Sequence, residues 1–297
     1  MTAITYSNDL LGQYMKKSLS GEYLGQQKPS LKPKIFAPNI VSKTGEYEFG
    51  SVFSSDGNEF YYGVDVNGKS EIRFMVRKNN QWSIPKRVGF CKGFSCNDPF
   101  FSPYDDKLFF ISDMPIVDSV YKNDIDIWYV IREGESWSEP INAGEMINTN
   151  KNEYYISFTK EGTMYFASNA GTTDTTKWNY DIYYSESKDW EFQKPVRLCD
   201  SINTIGYEAD VFISPDERFI IFCSYRDSGF GQGDLYISFK ENGTWSKAIN
   251  MGEDINTEGH ELCPFVTADG EFLFYTSNED IYWVDTGIID ALRNESP

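Results

Sequence analysis

The chain has 297 residues, and 27 Lys and Arg stand against 45 Asp and Glu, a formal net charge of −18. Such an acidic surface repels phosphate backbones and anionic lipid, so nucleic acid is disfavoured as a partner. Apolar residues make up 40% and aromatics 16% of the chain, which excludes disorder. The longest apolar runs, such as residues 219–223, are too short to span a bilayer, and no membrane insertion is expected.

Residues 1–30 read as an irregular or partly helical arm, without the basic and apolar regions of a signal peptide. A cytoplasmic location is therefore expected, or a periplasmic one if a leader has been removed. The five cysteines, Cys91, Cys96, Cys199, Cys223 and Cys263, are odd in number and form no CxxC pair. No disulfide framework is expected, and Cys91 and Cys96 read as buried thiols.

After Lys34-Ile35-Phe36-Ala37-Pro38, a short strand, one pattern recurs: an acid, an apolar run, Ser or Thr, a turn, then an aromatic run. It starts at Glu48, Asp98, Glu153, Glu208 and Glu261, with turn acids at Asp56, Asp105, Glu161, Asp216 and Asp269. A second marker follows four of the turns, as Asp126-Ile127-Trp128, Asp181-Ile182-Tyr183, Asp234-Leu235-Tyr236 and Asp280-Ile281-Tyr282, with Glu71-Ile72-Arg73 the weaker first copy. Trp82, Trp137, Trp190 and Trp245 form a third marker in the same phase. Asp-Gly at Asp56-Gly57 and Asp269-Gly270 supplies the positive φ of tight hairpins, and Ser214-Pro215-Asp216 starts the equivalent turn from a fixed proline φ.

Four strands repeated about every 50 to 55 residues are the signature of a β-propeller blade. Five copies of three strands but only four Trp-led outer strands leave one gap, which the strand at residues 34–38 fills. The expected fold is all-β: a five-bladed β-propeller of four-stranded antiparallel blades over residues 31–290, closed by an N-terminal strand, with a tail at 291–297. First-and-last closure of this kind removes two exposed sheet edges.

Ser214-Pro215-Asp216, the aromatic strand after it and Asp234-Leu235-Tyr236 resemble the WD40-like PD40 repeat of TolB-type propellers, and the match extends over roughly residues 40–285. Several copies depart from that pattern: Ser55 replaces Pro, Lys160-Glu161 replaces Pro-Asp, and Tyr104 is inserted in repeat two. The resemblance implies a bacterial source and a binding-type scaffold. It implies no particular reaction, because one fold hosts many functions.

By analogy with the fold, ligands are expected where loops crowd the channel mouth. Counting back from the turn acids places Glu48, Glu153, Glu208 and Glu261 there, with Cys96, Asn97 or Asp98 in repeat two. Asn148, Asn203 and Asn256 precede three of these glutamates by five residues, and Ser42 is a looser fourth. A ring of carboxylates suits calcium or magnesium in the central channel better than zinc, for which no second histidine exists. The same glutamates can instead accept hydrogen bonds from the adjacent Asn-Thr turns and serve only the blade.

Arg226, Tyr225, Trp178 and Tyr121, on loops that break the repeat, offer a fixed positive charge and stacking surfaces. Each has a structural alternative, Arg226 in pairing with Asp227 or a neighbouring blade and Trp178 in covering an apolar edge. His260, the only histidine, neighbours Glu261, but adjacent strand side chains face opposite ways. Gly229-Phe230-Gly231-Gln232-Gly233 lacks the following Lys and helix of a phosphate loop and reads as a flexible connection. The expected function is a binding module for a small polar ligand, glycan or protein at the channel mouth. The alternative is an enzyme that uses mouth carboxylates, with or without a metal, on a carbohydrate or other small molecule.

Overall fold

The computed structural model describes residues 19–116, 124–171 and 179–295. It is nearly all β, with five four-stranded antiparallel blades arranged as a propeller. Blade 1 runs through Tyr47–Phe53, Glu59–Asp65 and Ser70–Lys78, and blade 2 through Cys96–Phe101, Lys107–Ser112 and Asp126–Glu133. Blade 3 uses Glu153–Phe158, Met164–Ser168 and Asp181–Ser185; blade 4 uses Glu208–Ile213, Phe219–Ser224 and Asp234–Glu241. Blade 5 comprises Leu262–Val266, Phe272–Ser277 and Asp280–Asp285.

The outer strands are short and, in three blades, split. In blade 1, Gln81–Trp82 pairs with the end of the third strand, and Lys86–Arg87 pairs further back along it. In blade 5 the outer strand is Lys34–Ile35, with Lys34 opposite Trp283 and Ile35 opposite Tyr282. The propeller is thus closed by its N-terminal strand. Ser42 reinforces the closure, since its hydroxyl accepts from the Ile281 amide at 3.2 Å.

Inner strands are buried on both faces because each blade is sandwiched between two others. Phe60, Phe109, Phe110, Phe166, Phe222 and Phe274 on the second strands are essentially inaccessible. These rings explain why the strands read as near-continuous apolar runs rather than as alternating ones. The seam between blades 5 and 1 has an extra wedge. Tyr23 packs edge-on against Phe53 and Phe272, with centroids 5.3 and 5.0 Å away, and its hydroxyl donates to Asp269 at 2.5 Å. At the other terminus, helix α1 (Gly287–Glu295) begins where the Asp285 carboxylate accepts from the Gly287 amide at 2.8 Å. Among the described residues no helix is long and apolar enough to cross a membrane.

The first strands pack around the axis in blade order, 1 through 5 and back to 1. At the end of the channel nearer the hairpin turns, Phe100 of blade 2 meets Phe265 of blade 5 edge-on at 5.9 Å. These blades are not neighbours in the ring, so the contact crosses the axis. Phe158 and Phe212 add rings at 6.3 and 6.1 Å, so aromatic side chains pack across the channel there beside a cavity of about 140 Å3.

Candidate functional site

The recurrent glutamates belong to a clamp inside each blade. Glu208 accepts from the Thr204 amide at 2.9 Å, the Thr204 hydroxyl at 2.7 Å and Ser224 at 3.0 Å. Glu261 does the same with Thr257 and Ser277, and Glu153 with Thr149 and Ser168. The carboxylate ties the turn before the first strand to the end of the second. Glu153, Glu208 and Glu261 are fully buried in doing so, and Glu48 is buried as well.

The asparagines bind the preceding blade. Asn203 accepts from the Ile182 amide at 2.7 Å and donates to the Ile182 carbonyl at 2.9 Å. Asn148 brackets Ile127 and Asn256 brackets Leu235 in the same way. Among the described residues, no group of three or more His, Cys, Asp or Glu side chains is arranged to hold a metal ion.

Two blades depart from the clamp. In blade 1, Val64 stands at the register position taken by Ser168 in blade 3 and Ser224 in blade 4. Glu48 therefore keeps only the Lys43 amide at 3.2 Å, and its second oxygen has no hydrogen-bond partner. Burial pushes its carboxyl up to about 7. In blade 2 the clamp positions are Cys91 and Cys96, which are joined as a disulfide across a Cα–Cα distance of 6.2 Å. This corrects the expectation of two buried thiols: the turn brings the two α-carbons within bridging range. It also makes Cys96, rather than Asn97 or Asp98, the counterpart of the glutamates.

Two residues beyond each clamp position, every first strand bulges. Gly50, Asp98, Tyr155, Asp210 and Cys263 occupy these bulges with φ of 55, 49, 42, 50 and 54°. A left-handed non-glycine residue is costly and is retained where the fold over-determines it, often at a site. Here the bulge brings side chains from different blades together on the axis. Cys263 of blade 5 reaches Asp98 of blade 2 at 3.8 Å, and Tyr155 of blade 3 donates to the carbonyl of Pro264 at 2.9 Å. Gly50 is required by its neighbour, because a β-carbon there would lie 2.8 Å from an Asp98 carboxylate oxygen.

Above this layer opens a cavity of about 300 Å3. Asp98 and Asp210 form part of its wall with Tyr47, Phe49, Tyr154, Tyr180, Tyr207 and His260. The aromatic rings touch in sequence: Tyr154 to Tyr180 at 5.2 Å, Tyr180 to Tyr207 at 5.8 Å and Tyr207 to His260 at 6.5 Å. Burial, and the charge of Asp210, push the Asp98 carboxyl up to about 8; burial pushes Asp210 up to about 7. The wall therefore presents two carboxyls that retain protons at neutral pH, Asp98 more than Asp210, within an aromatic collar.

Of the residues singled out from the sequence, His260 lines this cavity while Glu261 lies buried in its blade. His260 Nε2 is 3.3 Å from the Cys223 sulfur. Burial lowers the imidazole and raises the thiol, and nearby carboxylates raise the thiol further, so the pair is neutral and not an activated nucleophile. Arg226 stacks over Tyr236 at 4.3 Å, donates to Ser224 at 3.1 Å and reaches Glu208 at 3.9 Å, all within blade 4. Tyr225 is exposed beside it. Trp178 and Tyr121 lie outside the described residues. The loop at 229–233 is pinned rather than free, since Asp234 accepts from the Phe230 and Gly231 amides at 2.7 and 3.0 Å. The mouth residues Asp210, Tyr154 and Tyr207 escaped sequence analysis, although they keep fixed offsets from the clamp glutamates.

Fold and site define a five-bladed β-propeller with an aromatic, acid-bearing channel mouth. Similar solved structures include a protein assigned as TolB from Agrobacterium tumefaciens, 16% identical, with a TM-score of 0.52 over 79% of this chain and 71% of that one. A thermostable family-43 glycoside hydrolase is 13% identical, with a TM-score of 0.55 over 83% and 90% of the two chains. TolB from Acinetobacter baumannii is 14% identical, with a TM-score of 0.48 over 80% of this chain and 53% of that one, so the present chain spans about half its length. No protein-family model matches the chain, and no curated protein is a significant sequence match. At these identities the likeness is one of fold.

Proposed function

We propose that the chain is a propeller binding module that takes a small polar ligand, or the polar end of a glycan or protein, into the channel mouth. One observation carries this reading: buried Asp98 and Asp210 share a cavity with four tyrosines. Polar groups within a mostly aromatic wall are the composition of ligand pockets. The regular repeat, similar to PD40 units, supports a scaffold role. The Cys91–Cys96 disulfide favours an oxidising compartment such as the periplasm over the cytoplasm.

Thermal-shift and calorimetric screening of small polar compounds and oligosaccharides tests the reading. A ligand of the mouth binds the native chain and is lost in Tyr207→Ala at unchanged fold. Ligands that bind both chains equally would refute it.

The enzymatic alternative also passes to Asp98 and Asp210. A carboxyl that holds its proton at neutral pH suits a general acid. Its mark is glycoside or ester hydrolysis lost in Asp98→Asn and in Asp210→Asn.

A further inference from the structure

The described mouth is rich in acids. Asp65, Asp98 and Asp210 contribute to the cavity wall, which among the described residues includes no Lys or Arg and, as its one base, His260. Among the described residues, neither Asp98 nor Asp210 takes part in a salt bridge. Asp98 has only the Asn97 amide at 3.4 Å and the Cys263 thiol at 3.8 Å, both long contacts. Buried carboxylates without a counter-charge are costly to ionise, and a ligand that brings the charge removes that cost. The remaining wall favours the same sign, because the faces of aromatic rings attract cations.

We infer that the channel mouth receives the protonated primary amine of a small organic molecule, with its N–H donors on Asp98 and Asp210 and its carbon chain against Tyr154, Tyr180 and Tyr207. This rests on the reading of the mouth as a binding site and names the chemistry of the occupant. A primary ammonium has three donors and no acceptor, which suits two facing carboxylates. At about 300 Å3 the cavity is at the small end of ligand pockets, so the amine belongs to a compact molecule or to one protruding end.

Binding is linked to protons. Near neutrality Asp98 largely and Asp210 partly hold their protons, and an ammonium ion favours their ionised forms, so its arrival releases protons. Apart from Asp65, the titratable groups around them stay neutral in this range. Cys263 and Cys223 are raised by burial, as are Tyr47, Tyr154, Tyr155, Tyr180 and Tyr207, while His260 is lowered. Affinity for an amine therefore rises with pH until the amine itself deprotonates.

The test is calorimetry of the full chain with n-butylamine, n-butanol, glucose and calcium chloride as separate probes. Binding of n-butylamine that is more than about tenfold tighter at about pH 8 than at about pH 6 supports the inference, as does its absence with n-butanol. Asp98→Asn/Asp210→Asn abolishes this binding while the melting temperature shows a folded chain. The pH dependence is read on the unaltered protein and stands even if that variant fails to fold. Binding of n-butylamine that does not change with pH overturns the inference, as does equal binding of n-butanol. Glucose or calcium bound in place of the amine overturns the ammonium assignment and leaves the mouth as a site. Failure of all four probes overturns both.

Discussion

Cys91 is bonded to Cys96 at the two positions that blade 4 gives to Asn203 and Glu208. A covalent link thus ties the turn to the first strand where other blades use hydrogen bonds. The strand it anchors carries Asn97 and Asp98 into the channel mouth. Reduction, or Cys91→Ser/Cys96→Ser, is expected to lower stability by about 2 kcal/mol, the low end for a short loop. Urea unfolding with and without dithiothreitol measures the loss, and the reductant has no such effect on the double variant.

The clamp predicts unequal costs for equivalent residues. Glu208→Ala leaves three donors without their acceptor, from Thr204 and Ser224, and is expected to destabilise by about 2–4 kcal/mol. Glu48 has one donor and an oxygen without a partner, so Glu48→Gln is expected to be neutral or stabilising above pH 7. Parallel denaturation curves at alkaline pH compare the two. An equal loss at both sites would contradict the clamp.

The pH dependence of stability follows from four buried carboxyls. Glu48, Glu153 and Asp210 are raised to about 7 and Asp98 to about 8, in each case by burial first. The folded chain thus holds protons that the unfolded chain has already released above the ordinary carboxylate range. Stability therefore falls as pH rises from about 4 to about 8 and levels off above that. Unfolding free energies across this window should decline, and Val64→Thr, which offers Glu48 a hydroxyl, should reduce the decline.

Gly50→Ala meets two penalties together. The backbone there has a φ of 55°, and the new β-carbon would press on the Asp98 carboxylate. A loss of about 1–3 kcal/mol is expected, together with a displaced Asp98 and weaker binding at the mouth. A variant that kept both stability and ligand affinity would show that the bulge layer tolerates rearrangement.

Arg226→Ala separates blade support from ligand contact. Its guanidinium covers Tyr236 and donates to Ser224 and the Ile202 carbonyl, outside the mouth cavity. A loss of about 1 kcal/mol in stability is expected, with ligand affinity unchanged. Melting temperature and calorimetry on the same sample check both.

The architecture was legible in the chain because a propeller repeats its local rules. Asp-Gly and Ser-Pro-Asp turns, aromatic second strands and the D-I-Y third strands each follow from hairpin chemistry and blade burial, and the missing fifth outer strand pointed to Lys34–Ile35. The channel-mouth site was not legible in this way. Asp98 and Asp210 line one cavity because blades 2 and 4 curve to a common centre, a proximity between residues more than a hundred positions apart that no local spacing encodes. The one-residue bulge in each first strand places Asp210 and Asp98, two residues beyond Glu208 and Cys96, in a left-handed conformation at the cavity wall. The repeated glutamates recur because blades 3, 4 and 5 use the same clamp. The site came from the bulge layer, where blade-to-blade identity is free to vary and only closure of the ring determines which residues become neighbours.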